Sequence, residues 1–100
     1  MAAIFLMLKG YRILALRYKT KLGEIDIIAR KGDLAVFVEV KARADEIGAV
    51  NAVSYASQKR IQAASDLWLA GQRDFARLSQ RYDIVAILPR KLPRHFPDAF

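Results

Sequence analysis

Hydrophobic and polar residues alternate with different spacings along the chain, and these spacings predict its first elements. Residues 2–9 are helix-prone and, up to Leu8, apolar, which predicts a first helix. Gly10 can end that helix because glycine accepts a left-handed backbone conformation at little cost. Positions 11–20 alternate and favour β structure, which predicts a strand followed by a turn. We expect this strand to carry Leu14, Leu16 and Tyr18 on one face and Ile13 and Ala15 on the other.

The middle of the chain predicts a hairpin and then a loop. Segments 24–30 and 34–41 have strand character, and Lys31 and Gly32 can form the two central residues of the turn between them. That turn places Ile27 opposite Val36. Positions 44–53 contain acidic residues, glycine and asparagine, so we expect a mobile loop there.

The second half of the chain predicts a longer helix and a buried strand. Ile61, Ala64 and Trp68 recur at helical spacing within 54–70, and Ser54 or Ser57 can cap this helix. Gly71 ends it. Positions 81–88 are almost continuously apolar, which predicts a strand buried on both faces, and Pro89 stops it. The proline-interrupted tail forms either a short edge strand or a packed loop.

The order of these elements, αβββαβ, predicts an α/β fold on the border of α+β. We expect a mixed sheet of four to five strands flanked by helices. The helix between the third and fourth strands is a crossover connection, so those two strands should run parallel. One hundred residues suffice for a single domain with one modest core.

Composition removes several function classes. No apolar run reaches the length of a membrane-spanning helix, so we expect no membrane segment. The opening residues lack the basic region and cleavage pattern of a signal peptide. With no cysteine the chain has no disulfide framework, thiolate metal site or thiol nucleophile. These features predict a cytoplasmic protein.

The charge balance favours a polyanionic partner. Seventeen Lys and Arg residues face ten Asp and Glu residues, a formal net charge of +7. Such an excess attracts nucleic acid over long distances, although basic small proteins are also common without any such role. Against this basic background, the acidic residues concentrate between positions 24 and 46.

The hairpin carries charges where apolar residues would be more stabilising. The predicted turn places Glu24 opposite Glu39, and strand alternation puts Asp26 and Lys41 on the same face. Crowded carboxylates destabilise a sheet unless positive charge lies between them. Lys41 supplies one such charge, and a divalent cation would supply two more.

An oxygen-only ligand set of this kind suits Mg²⁺ or Mn²⁺. Such an ion polarises a phosphoryl oxygen and lowers the pKa of a bound water, and an adjacent lysine offsets charge in the transition state. Hydrolysis of a phosphodiester needs no other nucleophile. Taken separately, each charged residue has a simpler interpretation as the solvated outer face of an antiparallel sheet. The combination on one face of a basic protein favours the catalytic interpretation.

The motifs "GYRIL", "GEIDIIAR", "VFVEVKAR" and "RHFPDAF" resemble the YraN-like family of small bacterial proteins. Members of that family are predicted endonucleases, distantly related to archaeal Holliday-junction resolvases within the restriction-endonuclease-like PD-(D/E)XK fold. The resemblance runs from about residue 2 to residue 100. It implies a restriction-endonuclease-like fold for this chain.

The resemblance also implies roles for individual residues. Asp26 corresponds to the motif's aspartate, Glu39 to its second acid and Lys41 to its lysine. The backbone carbonyl of Val40 joins Asp26 and Glu39 as a metal ligand, and Glu24 has an accessory or structural role. Relatives carry an additional glutamate on a longer first helix. This implies a single domain over residues 1–100 that lacks the start of that helix.

Other residues are candidates for accessory or DNA-contacting roles. Gln58 lies near the buried face of the predicted helix and could reach the sheet, which makes it a possible accessory residue. His95 is the only histidine, and we expect a structural role for it. The candidates for phosphate contact are the basic residues around the acidic hairpin and on the helix: Arg12, Arg17, Lys19, Lys21, Arg43, Lys59 and Arg60.

The sequence therefore favours a metal-dependent endonuclease that cuts DNA, with branched DNA among its substrates. By analogy with resolvases, which act on two strands of a junction, we expect a homodimer. Two other hypotheses remain open. One is a non-catalytic nucleic-acid-binding module that keeps the nuclease-like fold, and the other is a small interaction protein whose basic face meets an acidic protein.

Overall fold

A five-stranded mixed sheet with helices on both faces forms the fold in the computed structural model, which describes residues 1–100. The strands lie side by side in chain order, and only the third and fourth run parallel. This confirms the predicted fold class and the crossover connection. The elements are α1 (Ala2–Leu8), β1 (Arg12–Lys19), β2 (Glu24–Lys31), β3 (Leu34–Ala42), α2 (Glu46–Asn51), α3 (Tyr55–Ala70), a single 3₁₀ turn (Phe75–Arg77), β4 (Ser79–Ile87) and β5 (Arg94–Phe96).

Two hydrophobic clusters, one on each face, bury the sheet. On one face α3 packs Ile61, Ala64 and Leu69 against sheet residues that include Phe37 and Ile84. On the other face α1 contributes Ala2 and Leu6. Both faces of β3 are thereby covered, because Val36 and Val38 belong to the α1 cluster while Phe37 belongs to the α3 cluster. No helix is long and apolar enough to cross a bilayer.

The first strand departs from simple alternation. Its pairing with β2 shifts register between Ile13 and Ala15, and Arg17 has a positive φ of 52°. Ile13 consequently packs with the α1 cluster, while Ala15 and Tyr18 pack with the α3 cluster. The predicted faces of this strand are therefore wrong, because the bulge moves the following residues to the opposite side of the sheet.

The hairpin turn lies one residue later than predicted. Lys31 pairs with Leu34, so Gly32 and Asp33 are the central residues, and Gly32 has a positive φ of 61°. Ile27 accordingly lies opposite Val38 rather than Val36. A shift of two residues in the partner strand preserves the parity of the pairing, so the strands keep their faces although the predicted partners were wrong.

The segment predicted as a mobile loop contains α2. Asp45 caps this short helix by accepting a hydrogen bond from the Gly48 N–H at 2.7 Å, and Ala49 is buried under it. The longer helix α3 agrees with the prediction, because Ser54 accepts from the Ser57 N–H at 3.1 Å and Gly71 ends the helix. The tail forms the edge strand β5, which pairs antiparallel with β4.

Candidate active site

Asp26 occupies an irregular position at the open end of the β2–β3 hairpin. Regular pairing of the two strands begins only at Ile27, and Asp26 Oδ2 instead accepts a hydrogen bond from the Val40 N–H at 2.8 Å. Ile25 packs in the α3 cluster but Ile27 packs in the α1 cluster, although residues two apart on a regular strand share a face. The Asp26 carboxylate thus takes the place of a backbone carbonyl as the acceptor for the Val40 N–H. This contact fixes the position of Asp26 relative to β3.

A cavity of about 420 Å³ lies beside Asp26. The N-terminal end of α1 and the edge strand β1 form its walls, and Arg17 is the basic side chain among them. The positive φ of Arg17 is a sparsely populated conformation for a residue with a side chain. The residues that line the cavity are Met1, Ala2, Ala3, Leu16, Arg17, Asp26, Ile27 and Val40.

Glu39 and Asp26 bring two carboxyl groups together. Burial raises the pKa of Glu39, and the adjacent Asp26 carboxyl raises it further, to about 8, through hydrogen bonding and like charge. Lys41 opposes this change, since its Nζ lies 3.7 Å from Glu39 Oε2 and favours the ionised form. The Glu39 side chain is only 13% exposed. Two acidic groups and one ammonium group therefore meet at a partly buried site that solvent screens poorly.

The site is smaller than the predicted patch of three carboxylates. Glu24 is exposed and lies opposite Lys19 in the β1–β2 ladder. No group of three or more acidic or histidine side chains is placed to hold one metal ion. The predicted position of Glu24 beside Asp26 and Glu39 is therefore wrong, because the strand is irregular at Asp26.

The remaining donors suit a magnesium-like ion. Mg²⁺ is commonly bound through one or two carboxylates, with waters and substrate phosphates completing its coordination. The hydrogen bond from the Val40 N–H engages one oxygen of the Asp26 carboxylate, Oδ2. Burial and the neighbouring Asp26 carboxyl raise the pKa of Glu39, and a cation between the two acids would oppose both effects. The chemistry of Asp26, Glu39 and a nearby backbone carbonyl such as that of Val40 fits a divalent cation.

Gln58 takes part in a different contact. Its side-chain amide donates to the Val53 carbonyl oxygen at 3.2 Å, just before α3 begins. Neighbouring Lys59 is exposed, with its Nζ 5.1 Å from the centre of the Tyr55 ring. Arg60 is also exposed and donates to Ser57 Oγ at 3.3 Å. None of these contacts joins α3 to the carboxylate pair.

The predicted phosphate-contacting residues are dispersed over the sheet. Arg17 lines the cavity beside Asp26, whereas Arg12 lies opposite Arg30 near the turn end of the hairpin. Lys21 is exposed between β1 and β2. Arg43 is exposed just after β3, where its Nη1 donates to the Ala42 carbonyl oxygen at 2.7 Å. Arg17 is thus the predicted basic residue that shares a cavity with Asp26.

Sequence reasoning missed a buried ionic network on β4. Asp83 is fully buried and accepts two hydrogen bonds from Arg81, at 2.8 and 2.7 Å. His95 Nε2 lies 2.6 Å from Asp83 Oδ2, and the Asp98 N–H donates to Oδ1 at 2.9 Å. Burial alone would raise the pKa of Asp83, but these donors outweigh burial and hold the pKa below its usual value. The available signal was an aspartate directly before the apolar run at positions 84–88.

The mixed sheet with helices on both faces is a nuclease-like fold, of the type seen in an archaeal Holliday junction resolvase. The structure is similar to that of Hjc, a Holliday junction resolvase from Archaeoglobus fulgidus, with a TM-score of 0.62 and 18% sequence identity. The similarity covers 96% of this chain and 69% of that one. At this level of identity the likeness establishes the fold.

The chain belongs to the uncharacterised protein family UPF0102, whose family model matches residues 1–87. It is 81% identical to a UPF0102 protein of Rhizobium johnstonii and 80% identical to one of Rhizobium etli strain CIAT 652. A UPF0102 protein of Agrobacterium fabrum is 65% identical. Each match covers 99% of this chain and 81% of the relative. The resemblance to YraN-like proteins is thereby confirmed, and the likeness to an archaeal resolvase holds for the fold.

Proposed function

We propose that this protein is a metal-dependent endonuclease that hydrolyses phosphodiester bonds in DNA. The observation that carries the proposal is the meeting of Asp26 and Glu39, with Lys41 beside them, at the open end of the hairpin. A partly buried acid pair that raises the pKa of one member to about 8 is destabilising on its own. Such arrangements are characteristic of functional sites.

Asp26, Glu39 and the carbonyl of Val40 would hold Mg²⁺ or Mn²⁺. When bound, the ion would polarise a phosphoryl oxygen and favour ionisation of the attacking water. Asp26 is oriented for this role by its hydrogen bond from the Val40 N–H. Glu39 must release its proton to act as a ligand, so binding of the ion is coupled to ionisation of Glu39.

Lys41 stabilises negative charge at this site. Its ammonium group lies 3.7 Å from Glu39 and is 23% exposed, so it remains accessible to a substrate phosphate. During hydrolysis an ammonium group in this position would offset charge that develops on the phosphoryl oxygens. Arg17 lines the cavity beside Asp26 and would contact an adjacent phosphate.

DNA is the proposed substrate because the chain is strongly basic and because the similar solved structure is described as a Holliday junction resolvase. Branched DNA is therefore the first substrate class to examine. A homodimer would allow two strands of one junction to be cut, and we propose that assembly by analogy.

The decisive experiment is a cleavage panel with linear, flapped and four-way DNA in Mg²⁺ or Mn²⁺. We expect wild-type protein to cleave at least one substrate, and Glu39→Ala and Asp26→Asn to lose about 100-fold or more in rate. Asp66→Asn is the matched control, because Asp66 is an exposed carboxylate on α3, away from the pair. Cleavage that survives both site substitutions, or that requires no divalent ion, would contradict the proposal.

A non-catalytic nucleic-acid-binding module is the second candidate. It is favoured by the fact that only two carboxylates meet, with no third acidic or histidine side chain placed to share an ion. Tight, salt-sensitive DNA binding by wild-type protein, without cleavage of any substrate in either metal, would establish this alternative.

A further inference from the structure

A second cavity lies at the opposite end of the β2–β3 hairpin, where the turn meets the segment between α1 and β1. Its volume is about 290 Å³, and no hydrophobic residue lines it. Gly10 and Gly32 both have positive φ, 93° and 61°, which glycine adopts readily because it has no Cβ atom. The lining residues are Gly10, Arg12, Arg30, Lys31 and Gly32, and we call this site the basic cavity.

Two arginines face each other across the strands at the basic cavity. Arg12 pairs with Arg30 in the β1–β2 ladder, and like charges directly opposite each other destabilise a sheet. Arg30 is compensated, because its Nη2 lies 2.7 Å from Asp74 Oδ2 and 3.2 Å from Asp33 Oδ1. Arg12 is exposed and has no hydrogen bond or ion pair through its side chain. Its charge is therefore free to meet an external anion.

Lys31 is held in place without being neutralised. Its Nζ donates to the Lys9 carbonyl oxygen at 3.0 Å and lies 4.9 Å from the centre of the Tyr11 ring. Neither contact supplies negative charge, and the ammonium group keeps further N–H donors. A cation fixed in this way loses little conformational freedom when it binds a ligand.

We propose that the basic cavity binds a phosphate group of a nucleic-acid backbone. Arginine presents a planar fork of donors that matches phosphate oxygens, and lysine adds a point charge. The choice of nucleic acid as the source of the phosphate rests on the proposed function. Lys31 follows Asp26 by five positions along β2, which corresponds to about 17 Å at about 3.3 Å per residue. That distance equals about five base pairs of duplex, so this contact would anchor DNA away from the carboxylate pair.

The test compares two pairs of charge-removing substitutions in a DNA-binding assay without divalent ions. Arg12→Gln with Lys31→Gln alters the basic cavity, and Arg90→Gln with Lys91→Gln removes the same charge from exposed residues elsewhere. We expect the first pair to weaken binding about 5- to 10-fold more than the second at ~0.1 M salt, with a salt slope smaller by about 1 to 2. Arg12→Gln is also measured alone, because this variant keeps Lys31 and its contacts. Thermal unfolding checks that each variant is folded.

Equal losses from the two pairs would show an effect of total charge and would overturn the proposal. Thermal stabilisation by inorganic phosphate serves as a second arm. If Arg12→Gln abolished that stabilisation while DNA binding was unchanged, the cavity would be a site for free phosphate, and the nucleic-acid source would be overturned. Because binding is measured without metal, failure of DNA cleavage leaves this result intact. Conversely, wild-type protein could cleave DNA in the presence of metal while the Arg12→Gln variant bound DNA as tightly as wild type. That result would support the proposed function and would overturn the proposal for the basic cavity.

Discussion

At the scale of single residues, the Glu39 side chain lies in surroundings that favour its neutral form. Burial and the neighbouring Asp26 carboxyl raise its pKa to about 8, against an ordinary value of 4.5. Between these two pH values the folded protein retains a proton that the unfolded chain has released. The free energy of unfolding must therefore fall as the pH rises through this window.

Glu39→Gln is expected to remove this pH dependence. At ~1.4 kcal/mol per pKa unit, wild-type protein should lose about 2–4 kcal/mol relative to the variant between pH 5 and pH 8. Urea unfolding at several pH values measures the difference. Glu24→Gln, at an exposed position, should keep the wild-type dependence.

Mg²⁺ provides a second readout of the same residue. A ligand that binds only the folded state stabilises it, so Mg²⁺ at pH 8 should raise the unfolding midpoint of wild-type protein more than that of Glu39→Gln.

For the pH experiment, identical stability profiles of wild type and Glu39→Gln would show that Glu39 does not titrate as its surroundings indicate.

Asp26 combines a structural contact with its proposed chemistry, and two substitutions separate them. Asp26→Ala leaves the half-buried Val40 N–H without its acceptor and should cost about 1–3 kcal/mol of stability. Asp26→Asn keeps an oxygen acceptor and should cost clearly less, while it removes the charge. Chemical denaturation distinguishes the two variants. Equal destabilisation would mean that the charge, rather than the hydrogen bond, holds Asp26 in place.

At the scale of elements, hydrophobic spacing predicted the long helix and the central strands because their buried residues recur regularly. The β1 bulge between Ile13 and Ala15 has no such signal, since alternation assumes an unbroken ladder. The helix α2 buries only Ala49, so it has no apolar stripe, and the Asp45 cap was its one visible sign. In the hairpin, Gly32 was recognised as a turn residue, but its place within the turn was not.

The candidate site, too, could be predicted only in part from the sequence. Alternation of side chains grouped Asp26, Glu39 and Lys41 correctly as neighbours. Their approach depends on the Asp26 side chain replacing a backbone partner of Val40, a contact that the sequence pattern does not encode. The same irregularity separates Glu24, which a regular strand would have kept beside them. The patch was therefore predictable, and its exact membership was not.

Gly23 sets how closely the β1–β2 turn approaches α3. A Cβ atom at Gly23 would lie 2.6 Å from the backbone carbonyl oxygen of Arg60, which cannot move without displacing the helix. We expect Gly23→Ala to destabilise the protein by about 1–3 kcal/mol. Gly71→Ala is the matched control, since its Cβ would make an ordinary 3.6 Å contact at a φ of −86°. Thermal unfolding of both variants checks this, and a neutral Gly23→Ala would mean that the turn can move away from α3.

At the scale of the whole molecule, the network around Asp83 joins the two ends of the chain. Arg81 also donates to the Tyr11 hydroxyl at 2.8 Å, after α1, while His95 lies on the last strand. The other nitrogen of His95, Nδ1, lies 2.6 Å from Lys9 Nζ. One buried carboxylate thus connects the segment after α1 to β4 and β5, and the Asp98 N–H extends the connection into the tail.

Removal of this carboxylate charge should loosen both ends together. Asp83→Asn leaves Arg81 without its charge partner and should cost about 3 kcal/mol of stability. This is near the lower end for broken buried pairs, because Arg81 retains some contact with water.

This loss of stability should depend on pH. The pKa of Asp83 is lowered, so the stability that its charge contributes is complete above the ordinary aspartate pKa and is lost as the pH falls below it. The gap between wild type and Asp83→Asn should therefore be widest near pH 7 and should narrow towards pH 3. Asp33→Asn should change stability little, because the Asp33 side chain in its ion pair with Arg30 is 60% exposed. Hydrogen exchange at β5 and at the segment after α1 provides the spatial readout: faster exchange at only one of them in Asp83→Asn would show that the two ends are held independently.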